Sequence, residues 1–345
     1  MIIRNVSELR LYFPTHAIDS NYSFSGGAYN SEIDFLKDKL GDKLYDKLNT
    51  HLADINTDSF IDKIESGESL GYYEQLLYMA QRCVAFDMMG RTASLNAVSL
   101  NGMGVNVATS VDYGKADKQA IDDFKSTCIK EAHTAINILL ATLESWTIAS
   151  KNSTDNDLKE IVADWKDSKY YYFANSLFIP SAVVMQEYLN FYENREKFIQ
   201  MLPDLKYIQE ELIEPLLGSD FSEYLLAKIK DVCDDKVLNK LINLLRKFMA
   251  ASLEARTQVI RINANRVNEA HSEAIAYTNK ITDYVTSHLD VWLASIDTVL
   301  VDAIKLTPEY IARKDTEAKA QALATAKQNP FQQADALFMP MPGLK

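Results

Sequence analysis

IQEELIEPLLGSDFSEYLL, residues 208–226, reads as an apolar-striped helix that stops at Gly218 and restarts at once. A second stretch has the same form: SEIDFLKDKLGDKLYDKL, residues 31–48. Superposing Gly41 on Gly218 brings Phe35, Leu36, Leu40, Leu44 and Leu48 onto Leu212, Ile213, Leu217, Phe221 and Leu225. Self-similarity sets the architecture of a chain, so its extent decides the fold.

The match continues beyond the glycine. Residues 241–257, LINLLRKFMAASLEART, lie without a gap on residues 76–92, LLYMAQRCVAFDMMGRT. Leu241 falls on Leu76, Leu245 on Ala80, Ala250 on Ala85, and Arg256-Thr257 on Arg91-Thr92. The simplest account is a duplicated helical unit, decorated in one copy only. Residues 1–150 form the first unit and residues 151–306 the second. Residues 307–345 supply a last helix and an extended docking tail. The expected fold class is mainly α: two related helical-bundle units with long helices, one β-hairpin insertion and an extended C-terminal tail.

Composition agrees with long helices. The chain has 345 residues, 47% of them hydrophobic, with only 11 Gly and 8 Pro. That is enough apolar material for a real core and too little turn chemistry for a sandwich or barrel. The net charge of −12 argues against nucleic-acid binding as the main business. Cys83, Cys128 and Cys233 are odd in number and widely spaced, which fits reduced structural thiols and assembly in a cytoplasm. MIIRNVSELRLYF, residues 1–13, has no uninterrupted apolar core and is not expected to be a signal peptide. No apolar run is long enough to span a membrane.

Taken in order, residues 6–13 predict a short helix or strand, and residues 20–30, with Gly26-Gly27, a loop. Asn30 or Ser31 is the expected N-cap of the first helix, and Gly41 a left-handed C-cap. Residues 54–69 are polar and read as a loop with one helical turn. Residues 70–92 form a strong helix, with Tyr73, Leu76, Leu77, Ala80, Val84 and Met88 on one face. Residues 94–99 and 105–110 read as strands turned by Asn101-Gly102, a hairpin signal. A long helix over 117–149 places Phe124, Cys128, Ala132, Ala135, Ile138, Leu139, Thr142 and Trp146 on one side. Residues 170–180, YYYFANSLFIP, read as strand or packed extended chain; residues 181–200 return to helical spacing, and Pro203 opens the next helix. The second copy lacks the Asn-Gly hairpin. Residues 259–267 keep one short strand or continue the helix, and continuation is the favoured reading. Residues 307–326 form a final helix. The tail, with Phe331, Leu337, Phe338, Met339, Met341 and Leu344, is too apolar for water and docks on its own body or on a neighbour.

Catalytic signatures are missing. His133 and His271 each sit two residues after a Glu, and residues two apart do not share a helix face. There is no Cys-x-x-Cys, His-Glu-x-x-His, phosphate loop or nucleophile elbow. The acidic run at 231–235, DVCDD, lacks the spacing of a calcium loop and reads as a helix cap. Tyr170, Tyr171, Tyr172 and Phe173 have no basic residues interleaved and read as core or interface rather than a base-stacking platform. No enzyme, cofactor or metal is expected. The Asn101-Gly102-Met103 hairpin is either a cap on the bundle or an arm to a neighbour.

Several pieces together resemble a protein family of Bacteroidetes phages and prophages that is itself similar to the head–tail connector (adaptor) proteins of tailed phages. They are Ile213-Glu214-Pro215-Leu216-Leu217-Gly218, the helix ending in Arg91-Thr92, the Asn101-Gly102 hairpin before a long helix, and Met341-Pro342-Gly343-Leu344. The chain departs in being about twice a simple connector's length. The resemblance implies a virion structural protein in a neck ring, commonly a dodecamer, between portal and tail, through which DNA passes. It would be assembled in the bacterial host cytoplasm and bind the portal and other neck or tail proteins. Neither a membrane nor sequence-specific nucleic-acid binding is implied. Candidate contact residues are Asn101, Gly102, Met103, Phe331, Leu337, Phe338, Met339 and Met341. A cytoplasmic helical protein-binding module and another tail or neck component are the alternatives.

Overall fold

A computed structural model describes residues 1–13, 18, 22–96, 98–101, 104–107, 118–171, 177–190, 192–230, 235–265, 294–296, 298–300 and 303. The described chain is mainly helical and divides into two units, Met1–Tyr172 and Phe173–Lys345. The boundary lies past the polar stretch at 151–157.

The first unit opens with buried Ile2 and Ile3 and a short helix, α1 (Val6–Arg10), whose N-cap Asn5 accepts a bond from the Glu8 amide. α2 (Ser25–Ser31) starts where a loop was expected. It passes through a π-helical segment, Glu32–Lys37, into α3 (Asp38–Leu40). Ser31 is therefore buried inside a helix and is not a cap. Gly27 explains the misreading. A Cβ there would lie 3.0 Å from Met88 and Thr92 side-chain atoms, so the glycine permits close packing rather than marking a turn. α4 (Asp42–Asp54) follows Gly41 directly. α5 (Thr57–Ser66) replaces the expected polar loop; Asn56 caps its start and left-handed Gly67 its end.

α6 (Tyr72–Asn96) and α7 (Lys118–Ala149) form the spine of this unit. All six α6 residues assigned to the core are buried. At Gly90 a Cβ would lie 2.9 Å from the Ile129 side chain and 3.3 Å from its backbone nitrogen, so α6 and α7 are in backbone-close contact there. On α7, Cys128, Ala132, Ala135, Leu139 and Trp146 are buried as expected, and the buried face is wider on one side than the spacing implied. Phe124 and Ile138 are exposed, while Ile136, Leu140 and Leu143 are buried. α6 also runs three residues into the first expected strand. β1 (Val98–Asn101) and β2 (Gly104–Val107) pair antiparallel, with Asn101 opposite Gly104. Asn101 thus closes the ladder. α8 (Asn156–Trp165) packs on α4, α6 and α7. Lys43 pairs with Asp167, and Lys47 with Glu160 and Asp164, along that contact.

The second unit also holds a helix–glycine–helix corner. Leu177, Phe178 and Ile179 are buried, and Ser181 caps α9 (Ala182–Gln186) by accepting from the Val184 amide. The helix expected over 181–200 is broken before α10 (Arg195–Ile208): Tyr192 and Glu193 adopt φ of 55° and 48°. Pro203 lies inside α10 and does not open a helix. A π-helical segment, Gln209–Ile213, leads into α11 (Glu214–Leu217), Gly218 and α12 (Ser219–Lys230). Asp235 caps α13 (Lys236–Asn265), its carboxylate accepting from the Val237 and Leu238 amides at 2.8 and 3.1 Å. α6 ends at Asn96, which falls on Arg261. α13 passes that point as helix to Asn265, so residues 259–265 hold no strand. Residues 266–293 and 304–345, with the expected last helix and tail, lie outside the described residues.

The ten apolar residues matched across the two glycines are all buried. Neither glycine is a left-handed helix cap. Gly41 has φ 81°, ψ 157° and Gly218 has φ 77°, ψ 145°, a region essentially reserved for glycine. At Gly41 a Cβ would also sit 3.1 Å from that of Ser168. Gly41→Ala and Gly218→Ala are each expected to destabilise the protein by about 1–3 kcal/mol, Gly41→Ala by the larger amount. Urea unfolding of the two variants measures this.

Candidate functional site

Each glycine corner carries a buried polar side chain at the first residue of its π-helical segment: Glu32 in the first unit, Gln209 in the second. A buried carboxylate or amide costs several kcal/mol unless its atoms are bonded. Glu32 Oε1 accepts the Ile2 amide at 2.6 Å, and Oε2 accepts the Tyr45 hydroxyl at 2.9 Å. The α-amino group of Met1 lies 4.0 Å from Oε2. Gln81, on α6 and fully buried, completes the arrangement. Its Nε2 donates to the Ile2 carbonyl at 2.9 Å, and its Oε1 accepts the Tyr12 hydroxyl at 2.9 Å. One residue, Ile2, is thus held by both its backbone N–H and its C=O.

The second unit treats Phe178 in the same way. Gln209 Oε1 accepts the Phe178 amide at 3.0 Å, and Arg246 Nε donates to the Phe178 carbonyl at 2.8 Å. Tyr188 donates to Asn243 Oδ1 at 3.1 Å. Phe178, Gln209, Arg246, Tyr188 and Asn243 each fall on a residue of the first unit, whereas Tyr45, which donates to Glu32, falls on Ser222. The match that puts Gly41 on Gly218 puts Glu32 on Gln209. The match that puts Leu76 on Leu241 puts Gln81 on Arg246 and Tyr78 on Asn243. Placing Ile2 on Phe178 puts Asn5 on Ser181 and Tyr12 on Tyr188.

Two further contacts fix the first lead segment. Arg4 donates to the Leu52 and Ile55 carbonyls at 3.1 and 2.7 Å, and its Nε to Glu8 Oε1 at 2.8 Å. Around the corner, Trp165 Nε1 and Ser168 Oγ both donate to the Lys39 carbonyl, at 3.2 and 2.9 Å. Burial pushes the Glu32 carboxyl above its ordinary value. Tyr45 is pushed up to about 12, by burial first and then by the Glu32 charge.

The candidate contact residues are not part of this arrangement. Asn101 ends β1; Gly102, Met103, Phe331, Leu337, Phe338, Met339 and Met341 lie outside the described residues. Among the other residues singled out, His133 meets the Phe35 ring edge-on at 5.7 Å, and His51 elsewhere in this unit stacks on Tyr73 at 3.7 Å. Tyr171 packs edge-on against Trp165 at 5.3 Å. Among the described residues no group of three His, Cys, Asp or Glu side chains could hold a metal ion, and no helix is long and apolar enough to cross a membrane. Glu32, Gln81, Gln209 and Arg246 went unnoticed in the sequence. The available signal was polar side chains at matched positions of two apolar-striped helices.

The Glu32 carboxyl is raised on folding, so the native state holds its proton more tightly than the unfolded chain does. Its stabilising contribution is complete below the ordinary value near 4.5 and is lost as pH rises through the folded value. Glu32→Gln, which installs the residue of the second unit, should remove that dependence. Between pH 4.5 and 7 the stability difference is expected to move steadily in favour of the variant, as read by thermal unfolding across pH. The Met1 amine and the Tyr45 hydroxyl are the ionisable groups facing Glu32.

In comparisons with protein-family models, with curated proteins and with solved structures, nothing matches this chain.

Proposed function

We propose that this chain is a non-enzymatic structural protein of a tailed-phage particle, a subunit of a neck or connector ring between portal and tail. On this reading it is built from two copies of one helical unit. The observation that carries it is the use each unit makes of its buried and part-buried polar groups. Glu32, Gln81, Gln209 and Arg246 are spent on the chain's own backbone, as a scaffold requires.

The unduplicated features are the natural contact elements. A two-stranded arm at 98–107 follows the α6 spine, and two strands alone are marginally stable without a surface to rest on. The exposed α7 residues Phe124, Ile138 and Ile148 offer apolar surface that a neighbouring subunit would cover. The apolar tail from Phe331 adds a third element on sequence grounds. Heterologous contacts of this kind close into rings when the rotation closes. The net charge of −12 suits a channel along which DNA slides without sticking.

Size-exclusion chromatography with light scattering, alone and with portal protein, is expected to show a ring in at least the second case. A monomer in both overturns the ring and favours a helical binding module. Deleting residues 331–345 is expected to abolish incorporation into particles while circular dichroism stays helical; unchanged incorporation refutes the role given to the tail.

A further inference from the structure

We infer that each unit contains a peptide-binding clamp, filled in the folded chain by that unit's own lead segment. The ligand class is an extended apolar peptide leading into a helical turn capped by Asn or Ser. The inference stands apart from the ring reading and rests on the two matched sets of bonds.

Both clamps grip a single residue through its backbone. One side chain accepts its N–H and a second donates to its C=O: Glu32 and Gln81 on Ile2, Gln209 and Arg246 on Phe178. Backbone recognition of this kind is the basis of peptide capture at sheet edges, with pockets for side chains supplying selectivity. Here the pockets are apolar. Ile2 and Ile3, and Phe178 and Ile179, are all fully buried. The gripped residues differ between units, Ile against Phe, while the donor and acceptor roles are kept. A site reading side-chain shape alone would not preserve those roles. The clamps differ in charge: Glu32 is paired with neutral Gln81, whereas neutral Gln209 is paired with cationic Arg246. The first clamp therefore favours a segment carrying positive charge beside the gripped residue, as the Met1 amine does at 4.0 Å.

The test uses the full chain with Ile2→Asp and Ile3→Asp, which empties the first clamp and leaves Glu32 and Gln81 in place. A fluorescein-labelled peptide of residues 1–13, MIIRNVSELRLYF, is titrated by anisotropy. Saturable binding to this variant is expected, with binding at least about tenfold weaker to the unaltered chain, whose clamp is filled. Adding Gln81→Leu, which leaves a buried carbonyl without its donor, should weaken binding about tenfold or more. Absence of saturable binding by a variant that keeps its helical circular dichroism overturns the inference, as does binding indifferent to Gln81→Leu. Should the double variant fail to fold, amide exchange by NMR decides. Gln209→Leu in the otherwise unaltered chain should speed exchange of the Phe178 N–H about tenfold or more, and an unchanged rate overturns the clamp.

Discussion

A carboxylate with no solvent exposure, Glu32, is the constraint on which the first unit depends. Transfer of such a group out of water is among the largest single penalties a fold can contain. The penalty is met only because Ile2 presents an amide to one oxygen and Tyr45 a hydroxyl to the other. The docked lead segment and the corner therefore stabilise each other. Without Ile2 in place, Glu32 would be buried with one oxygen unbonded; without the corner, Ile2 and Ile3 would have nothing to pack on. Gln81 ties the same residue to α6, so lead segment, corner and spine meet at a single backbone position.

The corner itself is a backbone problem solved by glycine. Two helices meet with no linker, which demands positive φ with extended ψ, and only a residue without Cβ adopts that freely. Gly41 has a second duty, because Ser168 approaches to contact distance. That approach lets Ser168 and Trp165 reach the Lys39 carbonyl, one of the acceptors left over at a helix end. The π-helical segments before each glycine lie where Glu32 and Gln209 enter the core. Segments of this kind persist in proteins where a local distortion serves a purpose, and here they coincide with the buried polar group.

Much of the first unit was legible from residue pattern. The α6 face was read correctly because a long, regularly spaced apolar stripe has one reading. The glycine corners were visible as a repeated stop. Errors arose where one residue type serves two physical ends. Gly26-Gly27 were taken for a loop although Gly27 lies in a helix against Met88. Residues 54–69 read as a loop with one helical turn because α5 buries only Phe60, although Asn56 and Gly67 mark both ends of a full helix. On α7, Cys128, Ala132, Ala135, Leu139 and Trp146 follow the sequence reading, but Phe124 and Ile138 are exposed while Ile136, Leu140 and Leu143 are buried, because apolar residues are spread round the helix and packing selects among them. None of the clamp residues was named, since a polar side chain on a striped helix looks solvated until its burial is known.

From the sequence alone came the helical class, the two matched corners and the lack of catalytic signatures, because periodicity and glycine stops are local properties that a chain carries in its own order. Tertiary structure decided where the polar groups go. Ile2, Glu32 and Gln81 are far apart in the chain, as are Phe178, Gln209 and Arg246, and nothing in their local sequence marks them as partners. They become so only when packing buries the Ile2 and Phe178 backbone groups and leaves these side chains as the partners within reach.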